Sequence, residues 1–318
     1  MARLLPRLGF LCSVFVSIGL SMSLGACAAP ATEGTETAVH AVERNGQNDQ
    51  NDQAATGAKL RVVAGNLSSG NQQSWDPGHG VRILKGLSAD IALIQEFNYG
   101  NNTEADYREF VAEAFDPSFS YSVEDPNVQI PNGVVSRYPI IEHGAWRDPQ
   151  VSNRSFAWAK IDIPGDKDLW AISLHLLTSG TQKRQAEATA LVDQVKRTVP
   201  RGDYIVIGGD FNTGSRSENC LQTLGRVART TGPWPVDSRG NGGTNRSRSK
   251  PYDWVVVDPE LDAHEVPVEI GGMTFNSGLV FDSREYPELD EVVPAERADS
   301  NAQNMQHMAV VRDFALPN

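Results

Sequence analysis

Cysteine is nearly absent from the body of this sequence. Of three in 318 residues, Cys12 and Cys27 fall near the N-terminus and Cys220 stands alone. No two cysteines after residue 27 can form a disulfide. A thiolate metal site, which needs several such ligands, is excluded as well. Cys220 follows Glu218-Asn219 at a predicted helix start and reads as a buried structural residue rather than a nucleophile. Positive charge is also in short supply, with 28 Lys and Arg against 40 Asp and Glu and a net charge of −12. Such a chain does not attract nucleic acid globally, so a polyanion would have to be gripped by a local basic patch. Internal repeats are lacking. The apolar run Leu8 to Leu20 is too short and too near the terminus for a spanning helix with a stop-transfer flank.

That run follows Arg3 and Arg7, and the combination reads as a secretory signal. Leu24-Gly25-Ala26-Cys27 matches a bacterial lipobox, in which Cys27 is lipidated and becomes the mature N-terminus. Plain cleavage at the small residues Ala26-Cys27-Ala28 is the other reading. Either exports the chain, as an outer-membrane or cell-surface lipoprotein, otherwise as a periplasmic or secreted protein. Any membrane contact would run through the lipid anchor at Cys27. Losing the leader removes two Arg and no acid, so the net charge falls from −12 to −14. Residues 28–59 read as a polar tether. Asn45 to Gln53 contains no apolar residue and cannot offset its ordering entropy. Residues 60–318 have the ordinary composition of a globular domain, expected to be a monomer.

Within that domain, Leu60 to Ala64 reads as a strand and Val81 to Leu87 as a helix. Ile91 to Ile94 is a short continuous apolar run, as in a strand buried on both faces. Phe156 to Ile163 and Leu169 to Leu176 alternate around Pro164-Gly165-Asp166 and predict a hairpin. Thr181 to Val199 predicts a long amphipathic helix, with Ala186, Ala190, Leu191 and Val195 on one face and Pro200 stopping it. Tyr204 to Ile207, Asp253 to Val257 and Met308 to Phe314 predict further strands. Many strands with some helices between them imply a layered α/β (α+β) sandwich.

Polar residues recur at the ends of these strands, where ligands and catalysts commonly collect. Their order is Asn66, Gln95-Glu96, Asn132-Gly133-Val134-Val135-Ser136-Arg137-Tyr138-Pro139-Ile140, Ser173-Leu174-His175, Gly209-Asp210-Phe211-Asn212, Tyr252-Asp253 and Gln306-His307. Singly, each has an ordinary explanation as a turn residue, a solvated strand end or a core histidine. As a series over residues 60–315 they resemble the endonuclease/exonuclease/phosphatase superfamily, and its deoxyribonuclease-like members in particular.

The resemblance implies a four-layer sandwich, two mixed β-sheets packed face to face with helices outside. It implies a phosphoester hydrolase that uses Mg²⁺, with Mn²⁺ as the alternative, and the leader adds export. Glu96 would supply the hard oxygen such ions require, and Asn66 would help place the ion. Asp210 would orient or deprotonate the attacking water, with Asn212 fixing its geometry. His307 would hydrogen-bond the phosphate, with Asp253 holding its imidazole. His175 would donate to a phosphoryl oxygen where charge develops. Arg154 and Asn132 would contact the substrate.

The family pattern ends in Ser-Asp-His, whereas Gln306 precedes His307 here. A neutral amide binds a divalent ion more weakly than a carboxylate does, which leaves open a catalytically weak surface-binding lipoprotein on the same fold. Between residues 226 and 250 six cations, including Arg246 and Arg248, face one acid, Asp237. That loop suits a grip on nucleic-acid phosphates, and DNA cleavage is the leading expectation. The acidic segment Asp282 to Asp299 argues the other way, toward smaller phosphoesters such as a phospholipid headgroup, an inositol phosphate or a nucleotide.

Overall fold

The computed structural model describes residues 57–68 and 76–317. The leader, the lipidation site Cys27 and nearly all of the tether lie outside them. The described chain runs β1 (Lys59–Asn66), α1 (His79–Leu87), β2 (Ile91–Gln95), α2 (Glu104–Ala114), β3 (Ser120–Val123), β4 (Gly133–Ser136), β5 (Ile140–Trp146), β6 (Phe156–Ile161) and β7 (Leu169–His175). It continues through α3 (Thr181–Thr198), β8 (Tyr204–Asp210), α4 (Asn219–Leu224), β9 (Asp253–Val257) and α5 (Pro259–Asp262). The last strands are β10 (Glu265–Val266), β11 (Val268–Ile270), β12 (Met273–Phe275), β13 (Leu279–Phe281) and β14 (Ala309–Ala315).

Two large sheets form. One has seven strands in the order β10-β14-β1-β2-β4-β3, with β13 also paired to β14. The other has five, β5-β6-β7-β8-β9. Only β1–β2 and β7–β8 are parallel within them, so both sheets are mixed. The apolar alternation explains how they stack. Leu60, Val62 and Ala64 of β1 and Leu93 of β2 face Ala171 of β7, Val206 of β8 and Val255 of β9, all buried. Each fully buried Leu, Ile or Val of this layer contributes roughly 1.5–3 kcal/mol relative to exposure. The opposite faces are covered by α1 and α2 on the first sheet and by α3 and α4 on the second. The result is the four-layer sandwich, helix, sheet, sheet, helix.

Helix starts are fixed locally. Asp76 accepts N–H bonds from Gly78, Gly80 and Val81 at 3.0, 3.2 and 2.6 Å, and so seeds α1. Thr103 and Asp106 make a reciprocal capping box on α2. The buried face of α3 is rotated from the expected one. Ala188, Leu191, Val192 and Val195 are buried together with Arg184 and Glu187, while Ala186 and Ala190 are only half-buried. Two charged side chains occupy the core-facing row because they have partners there. The sequence pattern also passes over α2, β3, β4 and β5. The four-residue strands among them are too short to display a period.

On the outer face of the second sheet, Trp146, Trp158 and Trp170 stand side by side on β5, β6 and β7. Their ring centroids are 5.7 and 5.0 Å apart along the row. Gly144, opposite Trp158, leaves room for this ladder, since a Cβ there would come within 2.8 Å of the Trp158 ring.

Candidate active site

Five strand ends meet at one edge of the sandwich. β1 delivers Asn66, the residue after β2 is Glu96, β7 delivers His175, β8 delivers Asp210 and β9 begins with Asp253. The parallel pairings β1–β2 and β7–β8 carry these residues to the same end, and the register sets His175 beside Asp210 and Asp210 beside Asp253. A cross-sheet link sits just beneath. Gln95 Nε2 donates to Ser173 Oγ, which donates to Ile94 O, both at 2.8 Å. Gly209 makes the approach possible. Its φ of 133° lies outside the usual range of L-residues, and a Cβ there would meet Leu174 O at 2.2 Å.

Asp210 Oδ2 is the hub. It accepts from Asn66 Nδ2 at 3.3 Å and Asn212 Nδ2 at 3.1 Å, and lies 3.2 Å from His175 Nε2 and 3.6 Å from His307 Nε2. Asn212 N–H donates to the other oxygen at 2.8 Å, while its amide also donates to Leu176 O. Glu96 lies within reach of the same group, accepting from Asn66 Nδ2 at 3.2 Å and sitting 3.9 Å from His175 Nδ1. Glu96 and Asn212 both hold positive φ, 52° and 51°. Such conformations cost of order 1–3 kcal/mol at a non-glycine residue and concentrate at functional sites. His307 Nδ1 contacts both Asp253 oxygens at 3.1 and 3.0 Å.

The electrostatics separate the two histidines. Burial pushes the His175 imidazole well below its ordinary value, and the positive charge of Arg154 adds to this, so His175 is neutral. Burial acts the same way on His307, but the Asp253 and Asp210 carboxylates outweigh it and hold the imidazole up to about 10. His307 is therefore a cation at neutral pH. Asp210 is raised above the usual carboxylate range, first by burial and then by the charges of Asp253 and Glu96. A base lifted toward neutrality is suited to taking a proton from water.

The donor set fits a hard divalent ion. Glu96 and Asp210 direct carboxylate oxygens at the same Asn66 nitrogen, and Asp210, Asp253 and His307 offer ligand atoms within 4.8 Å of one another. Carboxylate oxygens are the donors that suit such an ion. Asn66 departs from expectation. Its oxygen accepts Ser68 N–H at 2.7 Å and its NH₂ faces the two carboxylates, so it orients them rather than serving as a ligand.

Glu96, His175, Asp210, Asn212 and His307 line a cleft of about 560 Å³ together with Gln129, Ile130, Val151, Asn153, Arg154, Leu177, Thr178, Tyr252 and Gln306, with Asn66 and Asp253 behind them. Several residues expected to contact substrate are engaged within the protein instead. Asn132 is fully buried, with its amide donating to Ser155 O and its N–H to Glu124, so it shapes β4 and does not reach substrate. Arg154 reaches the cleft, but its nitrogens already hold His175 O, Leu176 O and Asn153 Oδ1. Arg248 is sequestered between Asp237 and Asp282, at 2.7 and 2.6 Å. Arg246 is exposed but leans on the Asn301 and Gln303 carbonyls, away from the cleft. The acidic segment is partly neutralised as well. Asp282 is buried against Arg248 and Arg284, and Asp299 against His79 and Arg82.

One feature behind the cleft has no signal in the sequence beyond the three-residue spacing of Arg184 and Glu187. Glu187 is fully buried, and both of its oxygens accept Leu177 N–H, at 3.1 and 3.0 Å. Burial and then the Asp148 charge, against the Leu177 N–H, push its carboxyl up to about 8. A proton on Glu187 would also serve Asp148 Oδ2, which is buried without a hydrogen-bond partner. The folded protein keeps this proton across a range where the unfolded chain, near the ordinary 4.5, has lost it. The stability it contributes is full below the ordinary value and lost as pH rises through about 8. Glu187→Gln should therefore raise Tm relative to the native chain in mildly alkaline buffer, with the gain shrinking as pH falls and vanishing only near the ordinary 4.5. A Tm difference independent of pH would remove the shared proton from the description.

A sequence profile of the Endonuclease/Exonuclease/phosphatase family matches residues 79–274. The chain belongs to this family, whose members are hydrolases acting on phosphoester bonds and are typically dependent on divalent metals. Solved structures share the architecture. An endonuclease/exonuclease/phosphatase from Beutenbergia cavernae is 17% identical, with 82% of this chain and 72% of that one covered at a TM-score of 0.55. D. rerio TDP2 complexed with single strand DNA product is 13% identical, with 81% and 100% covered at 0.53. Beta toxin from Staphylococcus aureus is 14% identical, with 81% and 100% covered at 0.51. At these identities the likeness establishes the fold alone. No curated protein matches the sequence significantly.

Proposed function

We propose that this chain is a divalent-metal-dependent phosphodiesterase acting on small phosphoesters. The observation that carries this reading is the convergence of Asn66, His175, Asn212 and His307 on one oxygen of Asp210, beside Glu96. Glu96 would hold Mg²⁺ or Mn²⁺, which would supply charge stabilisation to a phosphoryl oxygen when bound. Asp210 takes a proton from the attacking water, and Asn212 holds its carboxylate in one orientation. The His307 imidazolium donates to a phosphoryl oxygen and is kept charged and aligned by Asp253. Neutral His175 donates one ring N–H beside it. Small substrates are favoured over nucleic acid because Arg248, expected to grip distant phosphates, is committed to buried acids. The likeness to a structure holding a DNA product supports a nuclease as the second reading. The leader pattern and Leu24-Gly25-Ala26-Cys27 support export with a lipid anchor at Cys27.

Chelation is the direct test. EDTA treatment should lower hydrolysis of a chromogenic phosphodiester by about 10²-fold or more, and added Mg²⁺ or Mn²⁺ should restore it. Undiminished activity in chelator would overturn the metal assignment.

A further inference from the structure

We infer that the cleft selects phosphodiesters bearing an apolar ester group, which seats on a wall made by Ile130, Val151 and Leu177. The inference rests on the hydrolase reading above and adds to it what the enzyme recognises. Glu96, His175, Asp210 and His307 line the cleft as one cluster and are the place for the phosphoryl group. The three apolar side chains come from three separate loops, and their backbones are pinned. Ile130 N–H donates to Asn153 O at 3.2 Å, which joins the first two loops. Leu177 N–H is fixed by the buried Glu187 carboxyl. The wall is thus formed before any substrate arrives, and binding to it costs little ordering entropy.

Charge points the same way. Arg154 is the only Lys or Arg among the described residues lining the cleft, and its nitrogens bond to the His175 and Leu176 carbonyls and to Asn153 Oδ1. A guanidinium with three of its N–H groups so engaged is a poor grip for a second phosphate. Gln129, Asn153 and Thr178 add neutral donors and acceptors, and Tyr252 contributes an aromatic ring 6.0 Å from that of His307. A volume of about 560 Å³ lies in the range of small-molecule sites. A strongly hydrated group such as glycerol gains nothing from Val151 and Leu177, whereas an aryl or branched alkyl group leaves water against them.

The test compares bis(4-nitrophenyl) phosphate with glycerophosphocholine, in Mg²⁺ and in Mn²⁺, for the native chain and for the double variant Val151→Ala/Leu177→Ala. Both positions are only half-buried, so the fold should tolerate the change, and a thermal melt checks it. The better leaving group raises kcat for the aryl ester on any enzyme, so KM is the quantity that discriminates. Contact with the wall is equal in ground and transition states, which predicts a rise in KM without loss of kcat. We expect the double variant to raise KM for the aryl diester roughly tenfold, the scale of a few methyl groups in an apolar pocket. KM for glycerophosphocholine should not move. Equal changes on both substrates, or none on either, would overturn the wall's role while leaving the hydrolase reading intact. Failure of the native chain to hydrolyse either diester would overturn that reading, and this inference with it.

Discussion

Asp210→Ala is expected to lower turnover on a small phosphodiester by about 10²–10⁴-fold, the range for removal of a positioned general base. The loss should fall on kcat, because Asp210 acts on water and leaves the apolar contacts of the substrate untouched. Asp210→Asn should lose nearly as much. It keeps an oxygen to accept the Asn212 N–H but can no longer take a proton. Stability should not fall with activity. The native carboxyl is buried and raised above its ordinary range, a cost to the fold that offsets the loss of the Asn66 and Asn212 hydrogen bonds and of the His307 contact in the alanine variant. Turnover and Tm measured together separate the outcomes. Near-native turnover in either variant would show that the base lies elsewhere, and a collapse of Tm would make Asp210 a structural residue.

Arg248→Ala should have the largest effect on stability. It strips Asp237 and Asp282, both buried, of the guanidinium that bridges them. Breaking a buried ion pair from one side costs about 3–5 kcal/mol, because the remaining charge stays desolvated. Arg284 also holds Asp282, at 2.7 Å, so the low end applies. A loss of about 3 kcal/mol corresponds to a fall in Tm of roughly 6–12 °C for a domain of this size. Arg246→Ala, which removes only exposed contacts to carbonyls, should stay within about 0.5 kcal/mol. If Arg248→Ala instead melts normally and loses only cleavage of DNA, the loop grips polymer phosphates after all.

The contrast between those two arginines shows how far the sequence can be read. Both sit in one basic stretch two residues apart, and composition treats them alike. What distinguishes them is Asp237 and Asp282, of which the second is 34 positions away and is brought close only by the fold. The strand-end residues are legible for the opposite reason. Asn66, Glu96, His175, Asp210 and Asp253 each follow or begin an apolar run, so local pattern alone places them at element ends. The parallel pairs β1–β2 and β7–β8, with β9 antiparallel beside β8, then collect them. Gln129, Ile130, Val151 and Leu177 come from loops with no period, and their meeting depends on backbone bonds such as Ile130 N–H to Asn153 O. Nothing near Glu187 in the sequence marks it as buried, because Asp148, which it faces, lies in the connection between β5 and β6. The position of Asn66 is legible in the pattern, but which end of its amide faces the carboxylates follows from Ser68 N–H, a contact that no spacing reveals.

The tryptophan ladder across β5, β6 and β7 also makes the molecule its own optical gauge. Indoles stacked at 5.0 and 5.7 Å couple their electronic transitions, so the three rings absorb as a unit and give paired bands of opposite sign in circular dichroism. The strength of that couplet falls steeply with ring separation. Because Trp146 stands on the edge strand, the first detachment of β5 would be written in the spectrum while the strands beside it remain paired.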